Sequence, residues 1–132
     1  MSILEAYESG EHISNVAHFA TMVKLANIDG PINSDEEIVL KRLAFKLDVS
    51  EEEVKAVLKY PGNYPLIPPY TLEDRIERLN DLFEIINADH IIDVQERKMI
   101  YKYAIGLGFS SEHANREIEN YILCFGGGGK GY

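Results

Sequence analysis

The segment Asn27-Ile28-Asp29-Gly30-Pro31-Ile32 returns sixty residues later as Asn87-Ala88-Asp89-His90-Ile91-Ile92, with no gap needed. The same offset sets Glu36 on Glu96, Ala44 on Ala104, Leu47 on Leu107, Ser50 on Ser110 and Glu52 on Glu112. Upstream it sets Val16, Phe19, Met22 and Leu25 on Ile76, Leu79, Leu82 and Ile85. Apolar matches alone can arise from shared helical periodicity. Matched Asp, Glu and Ser residues at element boundaries are poorly explained that way, so the chain reads as two copies of one unit.

Each unit reads as three helices. In the first, Val16, Phe19, Met22, Val23 and Ala26 recur at three- and four-residue spacing, which predicts a helix from about Glu11 to Asn27. A short loop, Ile28 to Asn33, leads to a second helix with Leu40, Leu43, Ala44 and Leu47 as its stripe and an end near Asp48. Ser50, with Glu53 three residues on, opens a third helix by a capping box, and Val54, Val57 and Leu58 are its expected buried side. In the second unit Thr71 and Asp74 open a helix with the stripe Ile76, Leu79, Leu82, Phe83 and Ile86. The next carries Ile100, Tyr103, Ala104 and Leu107 and stops at Gly108, where a helix end favours glycine. The last carries Ala114, Ile118, Tyr121 and Ile122. No stretch alternates with the period of a half-buried strand, so the expected class is all-α.

The expected organisation is one helical domain over residues 1–125, with units at about 12–59 and 72–122. Between them, residues 60–71 include Tyr60 to Tyr70, with four prolines and three tyrosines. Proline excludes a helix there, and the apolar side chains predict an extended strap on the bundle. The segment Tyr64 to Tyr70 also has the chemistry of a docking peptide for another protein. Residues 126–132 are a Gly-rich tail, expected to be flexible. The tail lacks the Ser or Thr and the following helix of a phosphate loop.

Composition narrows the function. Of the 132 residues, 22 are Asp or Glu against 13 Lys or Arg, a formal charge of -9. An acidic surface repels phosphate backbones, which argues against a general nucleic-acid binder. Apolar runs are far too short for a membrane span, and no signal-peptide pattern is present. A single cysteine excludes an internal disulfide and fits a reducing compartment, so a cytoplasmic location is expected. Cys124, beside Ile122, Leu123 and Phe125, reads as a packing residue rather than a nucleophile. His12, His18 and His113 lack metal-ligand spacing and read as surface or half-buried residues.

The loops invite a cation. With Asp29 at the fifth position of an EF-hand loop, Gly30 is sixth, Ile32 eighth and Glu36 twelfth, with Asn27 third. The first position is Leu25 in one loop and Ile85 in the other, and His90 replaces the second glycine. Ordinary EF-hands built this way are weak or dead. Capping offers a competing role: Asn33 with Glu36, and Asp93 with Glu96, have capping-box spacing (Ser34 with Glu37 is a rival register). Spacing alone favours capping over metal binding. If the two loops meet, Asp29, Glu36, Asp89 and Glu96 form a carboxylate cluster that a divalent cation, Ca²⁺ or Mg²⁺, or a basic partner would relieve. Asn33, His90 and Asp93 are further potential ligands.

The string Asp-Gly-x-Ile-x-x-x-Glu at Asp29 to Glu36, its echo at Asp89 to Glu96 and the doubled helical plan resemble the TerB-like family, which is named for tellurite-resistance proteins. The resemblance covers about residues 12–122. The family pattern is Ala-Asp-Gly; here Ile28 precedes Asp29 and His90 follows Asp89. The resemblance implies a compact helical domain whose loop acids gather in one suspected metal site, with a stress-related and non-catalytic role. The alternatives are a metal-dependent hydrolase using the same carboxylates and a purely structural protein-interaction module.

Overall fold

The computed structural model describes residues 3–28, 30–87 and 93–124, with the side chains of 3–8, 87 and 124 excepted. Its elements are α1 (Ile3–Ala26), α2 (Ser34–Lys46), α3 (Glu51–Lys59), α4 (Leu72–Asn87), α5 (Val94–Gly106) and α6 (Ser111–Cys124), with a 3₁₀ turn at Pro61–Asn63. Among the described residues there is no strand, and the helices form a compact all-α bundle. None of these helices is long and apolar enough to cross a membrane.

Local chemistry sets the helix ends. At α2, Asn33 Oδ1 accepts from the Glu36 amide at 2.7 Å while Glu36 Oε1 accepts from the Asn33 amide at 3.0 Å. At α5, Asp93 and Glu96 make the same reciprocal pair at 2.8 and 3.1 Å. Ser50 and Glu53 do so at α3. Each box satisfies two amides that the first turn leaves without partners. The rival register is not used: Glu37 faces Lys41 at 3.3 Å along the surface of α2. The C-terminal ends of α2 and α5 also match. The Val49 amide reaches the Ala44 carbonyl, and the Phe109 amide the Ala104 carbonyl. The intervening residues are left-handed, Asp48 at φ 58° and Gly108 at φ 105°. Aspartate visits this region more readily than most side chains, so the first turn needs no glycine.

Three expectations need correction. Helix α1 begins at Ile3, about eight residues before the expected start. The apolar stripe used to place the helix starts only at Val16, but a glycine at position 10 costs a helix only about 1 kcal/mol, and Ile3, Leu4, Glu5 and Ala6 favour propagation. Leu58 is exposed: short α3 rests on the bundle along a narrow arc centred on Val57. Ile76 is also exposed, because it sits at the edge of the arc set by Leu79, Leu82, Phe83 and Ile86. The other named stripe positions on α1, α2, α4 and α5 are buried, including Phe19, Leu43, Leu79 and Tyr103. Phe83 stacks on Tyr121, centroids 4.3 Å apart, and joins α4 to α6.

The Pro-rich segment lies on the bundle. Tyr64 and Leu66 pack against the core. Leu66 rests on Gly106, where an added Cβ would fall 2.8 Å from its Cδ2. Ser14 Oγ donates to the Ile67 carbonyl at 2.8 Å, and Arg75 Nε to the Pro69 carbonyl at 2.9 Å. These two bonds hold the strap across the middle of α1 and the start of α4, and the space beneath it becomes the site described next.

Candidate binding cleft

Helices α1 and α4 pack together, and each carries polar residues inside its apolar stripe. His18 and Asp81 meet there: His18 Nε2 donates to Asp81 Oδ2 at 3.0 Å, with His18 only 1% exposed. The other oxygen, Asp81 Oδ1, accepts from Lys46 Nζ at 2.9 Å, and Lys46 also pairs with Glu77 at 3.0 Å. One turn earlier Arg78 Nη2 donates to Asn15 Oδ1 at 2.6 Å, and Asn15 Nδ2 reaches the Leu47 carbonyl at 3.3 Å. Arg78 Nη1 is buried and finds no acceptor among the described residues. Together these groups make a polar seam shared by α1, α2 and α4.

Burial pushes His18 below its ordinary value of 6.5, against the opposing pull of its Asp81 bond, so the ring is neutral. Burial would raise Asp81, but the His18 and Lys46 hydrogen bonds outweigh it and hold the carboxyl below its ordinary value. Lys46 is held above its ordinary value by Asp81 and Glu77, despite the opposing effect of burial. The seam is therefore a neutral imidazole clamped by a charged carboxylate that an ammonium balances.

Above the seam opens a cleft of about 530 Å³, walled by α1, α4, the end of α2 and the strap. That volume lies in the range of small-molecule sites. Ile67, Pro68 and Pro69 give an apolar wall. Tyr70 stands at the rim, 85% exposed, and Glu11 and Asp74 contribute carboxylates.

The residues expected as a cation site fall elsewhere. Asp29, Asp89 and His90 lie outside the described residues. Asn33 and Asp93 are the N-caps of α2 and α5, and Glu36 and Glu96 are their capping-box partners, 3% and 2% exposed. Burial and then the Glu96 charge push the Tyr121 hydroxyl up to about 12. Among the described residues no three His, Cys, Asp or Glu side chains gather as a metal-binding group. Leu25 and Ile85, the two first positions of the EF-hand register, are core residues. Their side chains are committed to packing, which is why that register fails in both loops. Gly30 does adopt the positive φ, 131°, that a sharp sixth-position turn requires.

The histidines divide. His12 is partly exposed and sits 2.8 Å from Glu53, tying α1 to α3. His113 lies edge-on to Phe109 and 3.4 Å from Glu117. His18 corrects the expectation of a surface or half-buried residue. A usable clue was present: His18 and Thr21 interrupt the apolar stripe of α1, and Arg78 and Asp81 interrupt that of α4. Polar residues inside a buried stripe must find partners: His18, Arg78 and Asp81 find them in the seam, while Thr21 bonds to the Ala17 carbonyl of its own helix. No family model, curated protein or solved structure matches this chain.

Proposed function

We propose that the chain is a non-catalytic binding domain of the TerB-like, tellurite-resistance-associated type, built from two pseudo-repeats, that engages a protein partner through the cleft under the strap. The cleft itself carries this reading: a mixed apolar and charged surface of ligand-binding size, braced from below by the His18–Asp81–Lys46 seam. Matching caps at both ends of α2 and α5 support the doubled plan. A hydrolytic role for the cleft has less support, because its nearest imidazole is buried and its Nε2 is engaged by Asp81. A photo-crosslinking side chain at Tyr70 should give a discrete adduct with one partner, whereas the same group at Phe45, exposed on α2, should not. Adducts formed only from position 45 would remove the cleft from the account.

A second reading keeps the loop acids as a weak site for Ca²⁺ or Mg²⁺. It is favoured by the burial and matching orientation of Glu36 and Glu96, each at the end of a loop bearing Asp29 or Asp89. Hard cations take oxygen ligands, and these carboxylates would supply them, with Asn33, His90 or Asp93 as additions. Calorimetric titration of the wild type and of Asp29→Asn, Glu36→Gln, Asp89→Asn and Glu96→Gln tests it. A shared cation gives weak heat that each substitution diminishes; helix capping alone gives no heat in the wild type.

A further inference from the structure

The chemistry of the cleft specifies its occupant. Four carboxylates, Glu11, Asp74, Glu77 and Asp81, act on Arg78, while Lys46 pairs with Glu77 and Asp81. Glu11 and Asp74 have no basic side chain within ion-pair distance among the described residues. The cleft is thus acidic in balance and complements a positive charge. Arg78, 8% exposed, lines the same cleft, and its Nη1 is closed off from it and has no acceptor among the described residues. Tyr70 and the proline wall add a flat aromatic and apolar surface suited to the aliphatic stem and charged head of a long basic side chain.

We infer that the cleft binds an extended peptide segment of a partner protein that carries lysine or arginine. Its basic side chain lies between Glu11 and Asp74 against Tyr70. A polyamine offers the charge alone, whereas the residues flanking a peptide's Lys or Arg can also cover the apolar wall of Ile67, Pro68 and Pro69. This inference rests on the cleft being the partner site.

The test is selection of phage-displayed random decapeptides on the wild-type protein, followed by binding of the enriched peptides to the wild type and to Glu11→Gln with Asp74→Asn. Both substituted residues are exposed, so the fold is retained. Enriched peptides should carry Lys or Arg, weaken about tenfold or more with the double variant, and weaken again as salt rises. In ¹H–¹⁵N spectra they should shift Asn15, Tyr70, Asp74 and Arg78. Apolar or acidic peptides that shift those same resonances would overturn the basic specificity and leave the cleft as a partner site. Peptides that map elsewhere, or no enrichment, would overturn both. Spermidine binding in the cleft more tightly than any selected peptide would replace the peptide with a small cation.

Discussion

Helices α1 and α4 occupy corresponding places in the proposed duplication, yet they differ where they touch. At positions sixty apart the apolar residues agree in kind: Phe19 with Leu79, Met22 with Leu82 and Leu25 with Ile85, all buried. The polar positions do not agree. α1 carries Ser14, Asn15, His18 and Thr21 where α4 carries Asp74, Arg75, Arg78 and Asp81. One helix contributes neutral hydrogen-bonding groups and the other contributes charges. The seam needs both: His18 with Asp81, Asn15 with Arg78, Ser14 with the strap from one side and Arg75 from the other. Two identical helices would set like charges against each other. The shared features therefore make the skeleton, and the divergent ones make the cleft.

That contrast can be broken in stages. The largest effect is expected at Asp81→Ala, which leaves His18 and Lys46 facing a void. Removing one partner of a buried ionic network costs about 3–5 kcal/mol. At the corresponding position of α1, Thr21 bonds, among the described residues, only within its own helix, to the Ala17 carbonyl, so Thr21→Ser should cost far less. Urea denaturation of the two variants compares them directly; equal losses would deny the seam a special role.

The skeleton comes next. Leu43→Ala should cost about 2–5 kcal/mol, since the site is buried. Leu58→Ala should stay within about 0.5 kcal/mol, because that side chain is exposed. An unchanged melting temperature for Leu43→Ala would displace the core from where it is drawn.

Acid should sharpen the contrast further. Native His18 resists protonation, whereas in the unfolded chain it takes up a proton near 6.5. Between that value and the depressed native one the unfolded state binds more protons. The His18 contribution to stability is therefore full above about pH 7 and is lost progressively as pH falls below 6.5. Asp81 acts in the same direction but lower, its contribution being lost only as pH falls below 3.8. Denaturation midpoints between pH 5 and 8 should show the slope in the wild type and lose it in His18→Gln.

The smallest effect tests the sameness of the two halves. Asn33→Ala and Asp93→Ala each remove an N-cap and should each cost about 1 kcal/mol. If capping is the only role of Glu36, Glu36→Gln is nearly neutral, since glutamine completes the same box. A loss much greater than 1 kcal/mol would point to a further role for that buried carboxylate.

Much of the helical plan was legible because its determinants are local. Asn33 to Glu36, Ser50 to Glu53 and Asp93 to Glu96 are three-residue spacings, and the stripes repeat within a few turns. The start of α1 was less legible because the stripe begins at Val16 while the helix extends back to Ile3 through residues of ordinary helix propensity. The cleft was not legible, because its bonds join residues far apart in sequence: His18 to Asp81, Asn15 to Arg78 and Ser14 to Ile67. The loop acids drew attention by repeating, yet repetition marks what the two halves have in common. The cleft lies where they differ.

The central claim is that one hydrogen-bonded unit spans α1 and α4. A double-mutant cycle on His18→Asn and Asp81→Asn, read by urea denaturation, tests it most directly. The two substitutions should be strongly non-additive, with a coupling energy of about 1.5–3 kcal/mol, at the upper end for residues in one polar network. Additivity to within about 0.5 kcal/mol would mean that the two residues are merely neighbours and that no shared seam supports the cleft.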